Sequence, residues 1–118
     1  MSFKYLKQMP TPEEVKRELP LPEKYQKLKK ERDAVISDII TGKDDRFLVI
    51  IGPCSADNED AVCDYVNRLT AVQEKVADRV YIVPRIYTNK PRTTGSGYKG
   101  IASQPDTTKA TDMVEGLI

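Results

Sequence analysis

The chain has 118 residues, a net charge of +1 and a hydrophobic fraction of 39%. Lys and Arg (19) nearly balance Asp and Glu (18), which argues against general nucleic-acid or membrane-surface binding, and no apolar run approaches the roughly 20 residues of a membrane span. There is no His, so this chain alone cannot build a Ser-His-Asp triad, a Cys-His pair or a His-containing metal site. Cys54 and Cys63 are too few for a disulfide scaffold and the N-terminus lacks the apolar core of a signal peptide, so the chain reads as cytoplasmic.

Residues 1–11 read as an irregular lead-in. Thr11-Pro12-Glu13-Glu14 is a helix start, with Thr as N-cap, Pro at the first helical position and Glu at the third. Leu19-Pro20-Leu21-Pro22 stops that helix, because a proline disfavours helix at the residue before it. A second helix is expected from about Glu23 to Thr41. Its apolar stripe is Tyr25, Leu28, Val35, Ile36, Ile39 and Ile40, and Gly42 stands where a C′ residue belongs.

Phe47 to Ile51 is a continuous apolar run and reads as a strand buried on both faces. Gly52-Pro53-Cys54-Ser55 ends it. Asp57 or Asn58 can cap the next helix, whose stripe is Val62, Tyr65, Val66, Leu69, Val72 and Val76. Cys63 flanks that stripe and reads as structural. Val80 to Val83 is a second buried strand, closed by Pro84. Strand, helix and strand at this spacing form a βαβ unit, so the strands should be parallel neighbours. A further helix start is read at Thr111-Asp112. Two parallel strands need more strands beside them and helices over them. The pattern therefore reads as the first part of a larger α/β fold, with an extension over residues 1–45 and the incomplete barrel domain over residues 46–118.

The chemistry gathers in two loops. Arg85 to Gly100 carries Arg85, Lys90, Arg92 and Lys99 and no acid. Cations beside glycines and hydroxyls suit a small dianion such as a phosphate ester, although a solvated basic loop is the plainer reading. Both this loop and Gly52-Pro53-Cys54-Ser55 follow a strand, so in a parallel sheet both lie at one carboxyl edge, where active sites gather. Cys54 is open to three readings: a soft metal ligand, a nucleophile or a plain buried thiol. Gly95-Ser96-Gly97-Tyr98-Lys99-Gly100 matches a dinucleotide fingerprint literally, but it lies too far from the strand and precedes no helix.

Gly52-Pro53-Cys54-Ser55, followed by Arg85, Lys90-Pro91-Arg92-Thr93-Thr94 and Gly97-Tyr98-Lys99-Gly100, resembles type I 3-deoxy-D-arabino-heptulosonate 7-phosphate (DAHP) synthase, in its N-terminal portion. The resemblance implies N-terminal helices plus the first βαβ unit of a (β/α)8 TIM barrel, truncated. It implies the first step of the shikimate pathway, an aldol-type condensation of phosphoenolpyruvate with erythrose 4-phosphate, and homo-oligomers in the full-length family. By the same resemblance Arg85 and Lys90 are catalytic and substrate-binding, Arg92 and Thr93 hold the erythrose 4-phosphate phosphate, and Cys54 ligates a divalent metal (Mn, Fe, Co or Zn). Two local departures stand out. Ala56-Asp57-Asn58 follows where the family commonly has Ile-His-Asp, and Pro84 precedes Arg85 where Met is usual. The family's other metal ligands come from later strands, so the site is incomplete here and the chain alone is expected to be inactive. The alternatives are a non-catalytic remnant that associates with a full-length synthase, and an unrelated phosphate-binding module.

Overall fold

The computed structural model describes Tyr5, residues 8–90, Arg92 and residues 96–100. The helix start read at Thr111 and most of the lead-in lie outside the described residues.

Helix α1 spans Pro12–Glu18 and begins as its sequence dictates. Thr11 Oγ1 accepts the Glu14 N–H at 3.3 Å, and Glu14 Oε2 accepts the Thr11 N–H at 2.7 Å. This reciprocal box satisfies two donors that a helix start leaves open. The hydrogen bonds from Thr11 hold the Glu14 carboxyl below its ordinary value. Helix α2 spans Glu23–Ile40 and has no side-chain N-cap. Its C-terminus is closed by a Schellman motif. The Gly42 N–H donates to Ile39 O (3.2 Å) and the Lys43 N–H to Asp38 O (2.9 Å), with Gly42 at φ +74°.

Strand β1 (Phe47–Ile51) and strand β2 (Val80–Pro84) are joined by helix α3 (Glu59–Val76). They pair in parallel, Phe47 opposite Val80 and Ile51 opposite Pro84. The expected βαβ unit is therefore present. Of the two candidate caps it is Asn58 that serves α3, its side-chain oxygen accepting the Ala61 N–H at 2.8 Å. Helix α3 packs on β2, and α2 reaches β1. Arg46 staples the start of β1: it chelates Asp44 (Nε 3.0 Å, Nη2 2.6 Å) and donates to Ala77 O at 3.3 Å beyond the end of α3.

The expectation that both strands are buried on both faces is not met. Phe47 is 71% and Ile50 63% exposed. The stripe residues Tyr25, Leu28, Ile40 and Val72 are exposed too, and so is Cys63, which had read as a structural thiol. The reason is the size of the sheet. Two strands bury a face only partly, and a cleft of about 550 Å³ separates α2 from α3 and β2, lined by Leu28, Ile36, Leu69, Tyr81 and Val83 among others. Among the described hydrophobic residues only Val62 and Tyr98 are buried. No helix among the described residues is long and apolar enough to cross a membrane.

Candidate functional site

The loops that leave β1 and β2 do meet on one rim. The parallel register carries Ile51 beside Pro84, so the chains run on together. The Arg85 N–H donates to Ile51 O at 2.8 Å, and the Ala56 N–H donates to Tyr87 O at 3.0 Å. Gly52 lies against the Arg85 carbonyl so closely that a Cβ there would stand 1.7 Å from its oxygen. Only glycine fits this crossing.

Three of the cations named from sequence are each fixed by a backbone carbonyl. Arg85 Nη2 donates to Pro53 O at 3.2 Å. Lys90 Nζ donates to Cys54 O at 2.7 Å and also to Cys54 Sγ. Arg92 Nε donates to Tyr98 O at 2.8 Å. None of the three forms an ion pair with a carboxylate among the described residues. For Arg85 and Arg92 the charge stays available, because a carbonyl sets their positions without neutralising them, whereas Lys90 also meets the Cys54 sulfur. Thr93, the fourth substrate-binding residue named from sequence, lies outside the described residues.

Residues 96–100 lie back against the site. The Lys90 N–H donates to Lys99 O at 3.1 Å, and Asn89 forms an antiparallel bridge with Gly100. Tyr98, 3% exposed, anchors the return. Burial raises the Tyr98 phenol above its ordinary value, with a smaller push from Asp57, and its buried hydroxyl has no hydrogen-bond partner among the described residues. Tyr98, Lys99 and Gly100 thus buttress Lys90 and Arg92.

Cys54 is exposed on the rim. The hydrogen bond from Lys90 holds its thiol below the ordinary value, helped by the charge of Lys90 and, more weakly, of Arg92 and Arg85. That favours a thiolate, the form a metal would take. The donor set is nevertheless too small. Among the described residues no three of His, Cys, Asp and Glu come together, and one thiolate occupied by an ammonium group does not make a metal site. The described residues do not by themselves fit the divalent metal that the resemblance implies.

Tyr87 was not singled out in the sequence. Its ring lies 4.5 Å from the Arg85 guanidinium carbon and 5.7 Å from Lys90 Nζ, centroid to atom. An aromatic residue interleaved between two cations was the available signal.

Comparison with known proteins places the chain in a family. The DAHP synthetase I family matches over residues 17–117. The Tyr-sensitive phospho-2-dehydro-3-deoxyheptonate aldolase of Salmonella typhimurium is 38% identical over 107 residues, which is 91% of this chain and 30% of that protein. The phospho-2-dehydro-3-deoxyheptonate aldolase of Corynebacterium glutamicum is 37% identical over 111 residues, 93% of this chain and 30% of that protein. The solved structure of the Francisella tularensis phospho-2-dehydro-3-deoxyheptonate aldolase superposes with a TM-score of 0.78 at 31% identity, covering 98% of this chain and 33% of that one. The helices and the βαβ unit correspond to part of that (β/α)8 barrel, and the chain spans about 30% of the length of the curated relatives it matches. Two loops brought to one rim, a thiol between fixed cations and a match over nearly all of the sequence agree: the chain belongs to the DAHP synthetase I family.

Proposed function

We propose that this chain carries one wall of a DAHP synthase active site, the wall that holds two anionic substrates side by side. In this reading Arg85 binds the carboxylate end of phosphoenolpyruvate, Lys90 stands between the substrates, and Arg92 with Thr93 takes the phosphate of erythrose 4-phosphate. The observation that supports it is the anchoring of Arg85, Lys90 and Arg92 on the carbonyls of Pro53, Cys54 and Tyr98. Substrates of like charge repel, and cations held in advance offset that repulsion without reorganising when the substrates arrive. Arg92 spends its Nε on Tyr98, and its terminal nitrogens, without a hydrogen-bond partner among the described residues, suit a planar fork to phosphate. Cys54 would be the chain's contribution to a metal that polarises the aldehyde when bound, with the other ligands supplied by residues outside those described.

The test is calorimetric titration of the 118-residue chain with phosphoenolpyruvate, beside an assay of phosphoenolpyruvate loss with erythrose 4-phosphate and Mn²⁺. Binding without turnover is expected. Arg85→Met or Lys90→Met should weaken binding by about ten- to hundredfold, the worth of one charge-assisted hydrogen bond. Binding that is indifferent to both changes removes the reading; clear turnover by the chain alone removes the inactivity.

A second reading is association with a full-length synthase in place of catalysis. The exposure of Phe47, Ile50 and Ile51 on an open two-stranded sheet favours it. Co-sedimentation of the chain with a full-length synthase tests it directly.

A further inference from the structure

We propose that Tyr87 is a positioning residue of the anion site, its ring holding Arg85 and Lys90 together as one two-cation clamp. This rests on the anion-binding reading above. Arg85 and Lys90 carry like charge on one short loop, and no carboxylate among the described residues pairs with either. Left alone, two such side chains turn apart into solvent. The negative face of an aromatic ring attracts both, and both lie within the roughly 6 Å over which that attraction acts. A carboxylate at this place would hold the cations as well, but it would compete with the anionic groups of a substrate. A ring holds them without adding a negative charge of its own.

The ring is itself well placed for the task. The Tyr87 carbonyl accepts the Ala56 N–H, which ties the residue to the loop that follows β1. That loop also supplies Pro53 O to Arg85 and Cys54 O to Lys90. Each cation therefore has a carbonyl and the shared ring as supports, and Lys90 the Cys54 sulfur besides. The phenol hydroxyl has no part in this argument, so the ring alone should suffice.

The experiment compares the 118-residue chain with Tyr87→Phe and Tyr87→Leu, by NMR and by calorimetry with phosphoenolpyruvate. The side-chain methylene protons of Arg85 and Lys90 nearest the charge should be shifted upfield by the ring in the parent and in Tyr87→Phe, and return to ordinary values in Tyr87→Leu. Affinity should stay within about twofold in Tyr87→Phe and fall by about five- to tenfold in Tyr87→Leu. If Tyr87→Leu does not fold, Tyr87→Met makes the same comparison. Absence of the upfield shifts in the parent overturns the proposal whatever binds. Equal affinity of the Leu and Phe variants overturns it as well. Upfield shifts with no phosphoenolpyruvate binding by any form overturn the anion site itself, and the clamp with it.

Discussion

Gly52→Ala is the sharpest single perturbation of the rim. The new methyl would stand 1.7 Å from Arg85 O and 2.7 Å from Arg85 C, both backbone atoms that no rotamer change can move. Ordinary contact begins at 3.4 Å, so the two loops must part by about 1.7 Å. Parting them stretches the Arg85 N–H bond to Ile51 O and the Ala56 N–H bond to Tyr87 O beyond hydrogen-bonding range. Overpacking of this kind costs about 1–3 kcal/mol and each of the two lost hydrogen bonds about 0.5–1.5 kcal/mol, so a loss of about 2–6 kcal/mol is expected. Urea unfolding followed by circular dichroism reads the stability, and phosphoenolpyruvate titration reads the site. Gly42→Ala is the control. It forces an alanine to φ +74°, at a cost of about 1–2 kcal/mol, but meets no atom within 4 Å and lies away from the rim. The control should lose stability and keep binding; Gly52→Ala should lose both. A Gly52→Ala chain with the parent's midpoint and affinity would refute the close crossing of the loops.

Three further outcomes follow from individual contacts. Asn58→Ala removes the cap that accepts the Ala61 N–H and should cost about 1 kcal/mol in denaturant unfolding, with Asn58→Asp restoring most of it. Asp44 is held below its ordinary value chiefly by the Arg46 side-chain hydrogen bonds. A depressed carboxylate stabilises fully above its unfolded value of about 3.9 and loses that contribution as pH falls through the lower folded value, so the melting-temperature gap between parent and Asp44→Asn should be present at neutral pH and close in strong acid. Gln73 on α3 donates Nε2 to Val80 O (2.9 Å) and accepts the Ile82 N–H (2.6 Å), so Gln73→Leu should cost about 1–3 kcal/mol and give larger species in light scattering. An unchanged midpoint and particle size would show that water serves these groups equally well.

The local signals in the sequence were strong where one side chain decides one backbone feature. The Thr11–Glu14 box, Gly42 at C′ and the stop at Leu19 depend on neighbours a few residues away, and they formed as read. The parallel pairing of residues 47–51 with 80–84 was legible for a different reason. A βαβ connection of this length leaves little freedom in how its strands can lie. It carried the site with it, since loops that leave neighbouring parallel strands in one direction must share a rim. Burial was not legible in the same way. An apolar run records the surroundings a strand is suited to, and Phe47 and Ile50 face solvent because the described residues supply only two strands. The Gly52 crossing was hidden because it depends on a contact between loops about 30 positions apart in the sequence, whereas the ring of Tyr87 meets cations two and three positions away and was open to a closer reading of its own loop.

The edge of β2 shows how local and long-range demands meet. Arg79 O accepts the Phe47 N–H and the Arg85 N–H donates to Ile51 O, so alternate peptide groups of β2 turn toward β1. The peptide groups of Val80 and Ile82 must then turn outward, where a third strand would pair. The amide of Gln73 occupies both positions, offering one donor and one acceptor as a neighbouring backbone would. The same helix that buries β2 on its face therefore also satisfies its open edge. This keeps β2 in register with β1, and the register keeps Arg85 beside Gly52. A side chain on the far side of α3 from the anion site thus helps to hold the two loops of that site together. The binding defect expected of Gly52→Ala should accordingly appear, in weaker form, in Gln73→Leu.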